Sequence, residues 1–231
     1  MTSIEIFSAS NEPKSQSFFT TFSQSGLPLS HSLESIIRDA TPSTVAITRQ
    51  DHHILKLIKP RSWHEYFKMF WGHSRYHKEI QGNYLLRKIG LQVPEIYETG
   101  IGSPATQYEY LGFYIMENLQ KRGFDTLLSR LESGSLTPEK RNQLFGDMLA
   151  GLQRMKHHRI VFTDFHLENV MVNDNDELVW IDTGVTRYHW YSKPLFRKKL
   201  KRSIKRLLSY HGGDFFNAQE QQALLTFVEK P

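Results

Sequence analysis

Three polar residues stand at spacings that phosphoryl transfer would use. Asp164 and Asn169 lie in the stretch VFTDFHLENVMVNDNDELVWIDTG, residues 161–184. Asp182 follows the next apolar run, with Thr183 and Gly184 behind it. Such a reaction needs one carboxylate to orient or deprotonate an attacking hydroxyl, and an amide with a second carboxylate to hold Mg2+ on the phosphates. The segment between Asn169 and Asp182 reads as a hairpin: Val170, Met171 and Val172 as one short strand, residues 173–176 as turn, residues 178–181 as the return strand. That hairpin would fold Asp182 back towards the loop carrying Asp164 and Asn169. The competing reading is a surface hairpin with solvated carboxylates, since Asp and Asn abound in turns. Two halves at hairpin spacing, each behind an apolar run, weigh against it.

The segments Asp164-Phe165-His166-Leu167-Glu168-Asn169 and Asp182-Thr183-Gly184 resemble the catalytic-loop D-x-x-x-x-N and the later D-x-G of the protein-kinase-like fold. The resemblance implies an α+β, two-lobed protein-kinase-like fold. Its small antiparallel β N-lobe would run to a hinge over residues 31–119, after an N-terminal arm at 1–30. Its compact, mainly helical C-lobe would occupy 120–231 and carry a basic C-terminal helix. The chain offers elements for each part. Residues 35–38, 44–48 and 53–58 read as three antiparallel strands. The turn at 39–43 lacks the usual G-x-G-x-x-G, and Thr41, Ser43 and Thr44 are its possible phosphate donors.

Lys56 sits on the third of these strands, flanked by Leu55 and Leu57 and therefore projecting from the opposite side. It is either a solvated strand lysine or, as the resemblance implies, the lysine for the α- and β-phosphates of ATP, held by a glutamate on the next helix. That helix is expected from about residue 74 to 89, stopped by Gly90, with Tyr76, Ile80 and Tyr84 as its apolar stripe. Glu79 is its only acid. Residues 63–71, WHEYFKMFW, read as a helix packed on the lobe or as an interfacial element on lipid headgroups. Residues 91–100 read as a loop with Pro94 and then a strand. Residues 108–116 read as the strand leading to the hinge, where the resemblance implies adenine contacts from the main chain of Glu117 and Leu119. Thr137 and Pro138 open a buried helix with Leu144, Phe145, Met148, Leu149, Leu152 and Met155 at helical spacing. His157 and His158 end it, as carbonyl caps rather than a metal pair.

Composition narrows the class. The 231 residues are 39% hydrophobic and 23% charged, ordinary for a globular protein, with a net charge of +5. No cysteine is present, which excludes disulfides and thiolate metal sites. No signal peptide is expected, and no run approaches the ~18 apolar residues of a membrane span. The charge is uneven. From residue 183 to 213 there is no acid, while Lys193, Arg197, Lys198, Lys199, Lys201, Arg202, Lys205 and Arg206 crowd one stretch. Leu200, Ile204, Leu207 and Leu208 give that stretch an apolar helical face. A solvated face normally mixes signs, so the run points to a polyanion: nucleic acid, anionic lipid or a phosphorylated glycan.

Several positions depart from protein kinases. Thr163 stands before Asp164, where regulated protein kinases carry Arg, and His166 stands where they carry Lys. The 47 residues after Gly184 would not hold a full activation segment and a large C-lobe. The D-x-H-x-x-N form is similar to that of small-molecule kinases such as aminoglycoside and choline kinases. Over about residues 35–210 the chain resembles the bacterial lipopolysaccharide core kinases, the Kdo and heptose kinases. Lys78-Glu79-Ile80, then Gly90-Leu91-Gln92-Val93-Pro94, the compact catalytic segment and the basic tail carry that resemblance. It implies ATP and Mg2+ as cofactors, Lys56 and Glu79 on the nucleotide, Asn169 and Asp182 on the metal, and Asp164 as catalytic carboxylate. His166 would stabilise the transferring phosphate or contact the sugar.

The acceptor implied is a sugar hydroxyl, Kdo or heptose, in an anionic glycolipid of a Gram-negative bacterium. Lys198, Lys199, Lys201 and Arg202 would meet it or the leaflet around it. The protein is then expected to be cytoplasmic and peripheral on the cytosolic face of the inner membrane, with no nucleic acid partner. An aminoglycoside- or choline-type pocket binds cations and should be lined with acids, unlike the 183–213 stretch. A non-catalytic kinase-like binding module would not need Lys56, Glu79, Asp164, Asn169 and Asp182 together. A nucleic-acid-binding protein would need none of them.

Overall fold

A computed structural model describes residues 3–6, 29–101 and 110–229. Most of the expected arm at 1–30, and Tyr108 of the expected hinge strand, lie outside the described residues. The fold mixes α and β, with an antiparallel sheet and several helices. The chain divides into two compact units, residues 1–81 with 94–118 and residues 82–93 with 119–231.

The first unit is a six-stranded antiparallel sheet in the order β1-β2-β3-β4-β6-β5. Its strands are β1 (Ser3–Ile6), β2 (Leu29–Ala40), β3 (Ser43–Thr48), β4 (Ile54–Ile58), β5 (Ile96–Ile101) and β6 (Gly112–Met116). The two-residue period of β4 sorts its side chains between two cores. Leu55 and Leu57 join Leu33, Ala46, Phe113 and Ile115. Ile58, on the Lys56 side, joins Tyr114 and three residues from two helices: Met69 of α1 (His64–Phe70), and Tyr76 and Ile80 of α2 (Arg75–Lys88). Tyr76 is wholly buried, which pushes its phenol well above the usual range, with Thr99 as hydrogen-bond partner. Its ring lies over Gly112, where a Cβ would come within 2.7 Å of Tyr76 Cδ2. The expected stripe of α2 needs correction at Tyr84, which is 37% exposed; Asn83 is buried instead. Seven residues from Tyr76 bring the helix almost back to the same side, whereas eight overshoot it.

In the second unit α2 ends in a Schellman motif. Leu91 N–H donates to the Leu86 carbonyl at 3.0 Å and Gly90 N–H to the Arg87 carbonyl at 3.0 Å, with Gly90 at φ 79°. Two short sheets follow, β10-β9-β7 and β11-β8. They comprise β7 (Asp125–Thr126), β8 (Ile160–Phe162), β9 (Val170–Val172), β10 (Leu178–Trp180) and β11 (Val185–Arg187). Helix α3 (Leu127–Glu132) precedes α4 (Pro138–His157), which starts as expected, Thr137 Oγ1 accepting from Lys140 N–H at 3.3 Å. At the far end His158 contributes its backbone N–H to the Arg154 carbonyl, 3.1 Å. Leu144, Met148, Leu152 and Met155 are buried, and Phe145 and Leu149 partly so. Gly151 completes that face: a Cβ there would lie 2.7 Å from Cζ2 of the buried Trp180.

The basic run forms α5 (Lys193–Leu207), buried through Phe196, Leu200, Ser203, Ile204 and Leu207. Leu208, the last residue of the expected apolar face, is partly buried against the same core from the π-type turn that follows, Leu208–Gly212. Helix α6 (Ala218–Glu229) opens with a reciprocal cap. Asn217 Oδ1 accepts from Glu220 N–H at 2.9 Å, and Glu220 Oε2 accepts from Asn217 N–H at 2.8 Å. Arg141 of α4 binds the same buried Glu220, which raises the guanidinium's already high pKa.

Gly82 of α2 supports the segment carrying Asp182. A Cβ there would fall 1.7 Å from the Thr183 carbonyl oxygen, a backbone atom that cannot swing away. Gly82→Ala is expected to destabilise the protein by about 1–3 kcal/mol, as overpacking does. Urea unfolding measures this; an unchanged midpoint would mean that the segment shifts at no cost.

Candidate active site

Lys56 and Glu79 meet within the first unit. Lys56 Nζ lies 3.0 Å from Glu79 Oε2, with the two side chains 8% and 17% exposed. Tyr114 is the cross-strand partner of Lys56, and its hydroxyl donates to the same Glu79 oxygen at 2.6 Å. The ammonium sits 5.9 Å from the Tyr114 ring centroid. A buried ammonium is tolerable only with a carboxylate held in place, and Tyr114 is the residue that holds it. The sequence offered a signal for Tyr114 only once the β4–β6 register was known.

The 163–169 loop of the second unit is anchored by buried side chains on both sides of Asp164. Phe162, Phe165 and Leu167 are buried, whereas Asp164 between them is exposed. Phe162, Phe165 and Trp180 form an aromatic cluster with centroids 5.5–6.0 Å apart. Asn169 is buried, and its Nδ2 donates to the Asp164 carbonyl at 2.7 Å. Strands β9 and β10 pair as expected, Val170 opposite Trp180, and Ile181 N–H donates to the Asn169 carbonyl at 2.9 Å. The turn is closed by Asn173, whose Oδ1 accepts from the N–H groups of Asn175 and Glu177 at 3.0 and 2.9 Å.

Asp182, exposed and at φ 51°, therefore follows a residue bonded to Asn169. Thr163 Oγ1 donates to the Gly184 carbonyl at 2.5 Å, tying the other end of the loop to the same segment. The residues fit a magnesium ion. With Nδ2 committed to Asp164, Asn169 turns Oδ1 away from that bond as its acceptor, and Asp182 supplies an anionic oxygen. Mg2+ is typically bound through few protein oxygens, with water and phosphate completing the shell. Among the described residues no group of three or more His, Asp and Glu side chains forms an all-protein metal site.

Asp164 has a partner that the sequence reading missed. Arg206 of α5 places Nη2 2.8 Å from Asp164 Oδ1, both half-exposed or more. Ser203, one turn earlier, is buried and donates Oγ to the Phe162 carbonyl at 2.5 Å, which locks α5 against the strand leading into the loop. The only sequence signal for Arg206 was its membership of the acid-free run. His166 Nδ1 lies 3.3 Å from Glu168 Oε2, and its ring packs on Tyr210 at 5.7 Å.

At the expected hinge, Glu117 N–H donates to the Glu95 carbonyl at 2.9 Å. An adenine contact from Glu117 would thus fall to its carbonyl. Leu119 is buried at the start of a 3-10 turn, Leu119–Arg122. Of the possible phosphate donors at the β2–β3 turn, Thr44 has its hydroxyl engaged within the first unit. Thr44 is buried and its hydroxyl donates to Asp39 Oδ1 at 2.7 Å, while Lys59 Nζ binds the same oxygen at 2.5 Å. Lys59 holds the Asp39 carboxyl below its usual range.

No protein-family model matches the chain, and no curated protein matches it. A solved structure does match: WaaP in complex with acyl carrier protein, with a TM-score of 0.59 and 14% identity, covering 86% of this chain and 80% of that one. The chain is similar in fold to WaaP. That likeness supports a kinase-like fold. Of the basic residues expected to meet an anionic partner, Lys198, Lys201 and Arg202 are exposed and Lys199 is half-buried.

The Lys56–Glu79 pair yields a stability test. Glu79→Ala should cost about 3–5 kcal/mol, because it strands a buried ammonium. Lys56→Met combined with Glu79→Leu should recover most of that loss, since it removes both charges. Chemical denaturation measures the set. A single variant as stable as the wild type would show that Lys56 reaches water without its partner.

Proposed function

We propose that this chain is a kinase that transfers the γ-phosphate of ATP to a sugar hydroxyl, Kdo or heptose, of the lipopolysaccharide inner core. The observation that carries the reading is the joint anchoring of Asp164, Asn169 and Asp182 through the Asn169–Asp164 and Ile181–Asn169 hydrogen bonds. The fold likeness to WaaP is compatible with it. In this reading the chain has two lobes, and Lys56, held by Glu79, binds the α- and β-phosphates. The carbonyl of Glu117 and the main chain of Leu119 meet the adenine. Asn169 and Asp182 hold Mg2+, which would neutralise charge on the phosphates. Asp164 orients the sugar hydroxyl and accepts its proton. His166 contacts the sugar or the phosphate in transfer.

Arg206 enters as a positioning residue. It holds Asp164 until an anionic acceptor, bearing phosphate or carboxylate, competes for the guanidinium and leaves Asp164 to the hydroxyl. Lys198, Lys199, Lys201 and Arg202 bind the glycolipid or the leaflet around it. The protein works on the cytosolic face of the inner membrane as a peripheral protein. An acyl carrier protein, the partner in the WaaP complex, is a second candidate partner.

Asp164→Asn should lower transfer from radiolabelled ATP to deacylated core oligosaccharide by about 10²–10⁴-fold, the usual worth of a general base, while calorimetric ATP affinity stays unchanged. Near-normal turnover would remove Asp164 from the chemistry. Arg206→Ala should raise the acceptor KM and spare the KM for ATP. An equal rise in both, or in neither, would contradict its acceptor-side role.

A further inference from the structure

Among the described side chains of residues 63–71, apolar and aromatic groups fall on two sides of helix α1. Met69 is buried and Tyr66 half-buried in the core beneath the sheet. Trp63, Phe67 and Trp71 are 64%, 55% and 77% exposed. Their spacing of four residues lines them on one stripe, and Trp63 packs edge-on against Phe67 with centroids 5.3 Å apart. Three large aromatic side chains, left in water within nine residues, are costly unless something covers them.

The charge around the stripe identifies what fits. Of the cations near the stripe, Lys56 is buried against Glu79, Lys59 binds Asp39 and Arg75 binds Glu65, whereas Arg61, Lys68 and Lys78 are exposed, and Glu65 is the one acid between residues 52 and 78. Glu65 is turned inward: its carboxylate is 12% exposed, accepts from Arg61 N–H at 2.8 Å and lies 3.4 Å from Arg75 Nε. The face presented outward is therefore aromatic and cationic, with Arg61 and Lys68 exposed beside the stripe. Aromatic side chains of this amphipathic kind are favoured at lipid headgroups, and basic residues beside them gain from anionic lipid. A second copy of the chain would instead bring like charges together.

We propose that α1 and its flanks dock the protein on an anionic lipid surface, Trp63, Phe67 and Trp71 seated at headgroup level and Arg61 and Lys68 on lipid phosphates. The inference rests on the reading above only for the identity of the membrane. It assigns membrane attachment to the aromatic helix of the first unit, an element apart from the basic helix α5.

The test is sedimentation of the full chain with vesicles of phosphatidylethanolamine and phosphatidylglycerol, without ATP or acceptor. The wild type should bind these and release with salt, and should bind neutral phosphatidylcholine vesicles about tenfold less. The triple variant Trp63→Ser, Phe67→Ser, Trp71→Ser should lose about tenfold or more of the binding and keep its activity on deacylated core oligosaccharide. In the folded wild type, brominated lipid should quench tryptophan fluorescence, and Trp63→Phe with Trp71→Phe should remove that quenching. Undiminished vesicle binding by the triple variant, absence of quenching, or equal binding to neutral vesicles overturns the proposal. So does loss in the variant of a protein complex or of self-association while no vesicle binding is seen, which would give the face to a protein. Vesicle binding without phosphoryl transfer would refute the kinase reading and leave this one standing.

Discussion

The wedge of Trp180 into the space above Gly151 is the constraint on which the second unit depends. A side chain at Gly151 would collide with the indole, so a missing methyl lets the return strand of the hairpin lie close to α4. Trp180 then meets Phe162 and Phe165. With both phenylalanines buried, the two residues between them, Thr163 and Asp164, are exposed. A functional carboxylate on a short loop gains its precision from the buried residues on both sides of it. Asn169 and Thr163 add hydrogen bonds to backbone carbonyls at either end. None of these contacts touches Asp164's carboxylate, so its charge stays available to a partner. In the described structure that partner is Arg206.

The first unit solves a different problem. A lysine on a central strand, 6% exposed, pays heavily for desolvation. Such a residue survives where its charge has a use, and Glu79 with Tyr114 makes the cost tolerable. The same strand has leucines at the two neighbouring positions, facing a core of Leu33, Ala46, Phe113, Ile115 and Tyr110. Replacing the pair by apolar residues would be structurally simple, which is why its presence weighs towards phosphate binding in the proposed kinase.

Local chemistry was legible in the sequence where a short stretch decides its own conformation. The 170–180 hairpin, the Thr137 cap, the Gly90 stop and the opposite facing of Lys56 and Leu55 all follow from turn residues, caps and period. What the sequence hid was non-local. Asn83, not Tyr84, completes the buried side of α2, because helical phase over two turns is sensitive to one residue. Thr44 serves Asp39 rather than a phosphate loop. Arg206 looked like one more cation in a basic run, and only the packing of Ser203 against Phe162 aims that turn of the helix at Asp164. In sequence, the aromatic stretch at 63–71 fits both a packed and an interfacial helix. The structure gives it two sides, one packed through Met69 and one exposed.

The central claim is that Asp164, Asn169 and Asp182 of the second unit, linked through the Asn169–Asp164 and Ile181–Asn169 hydrogen bonds, serve phosphoryl transfer to a lipopolysaccharide core sugar. Mass spectrometry of lipopolysaccharide from cells of the source organism, with and without the gene, tests it most directly. The account predicts a core lighter by one phosphate when the gene is absent, restored when it is returned. A core of identical mass in both strains would contradict it.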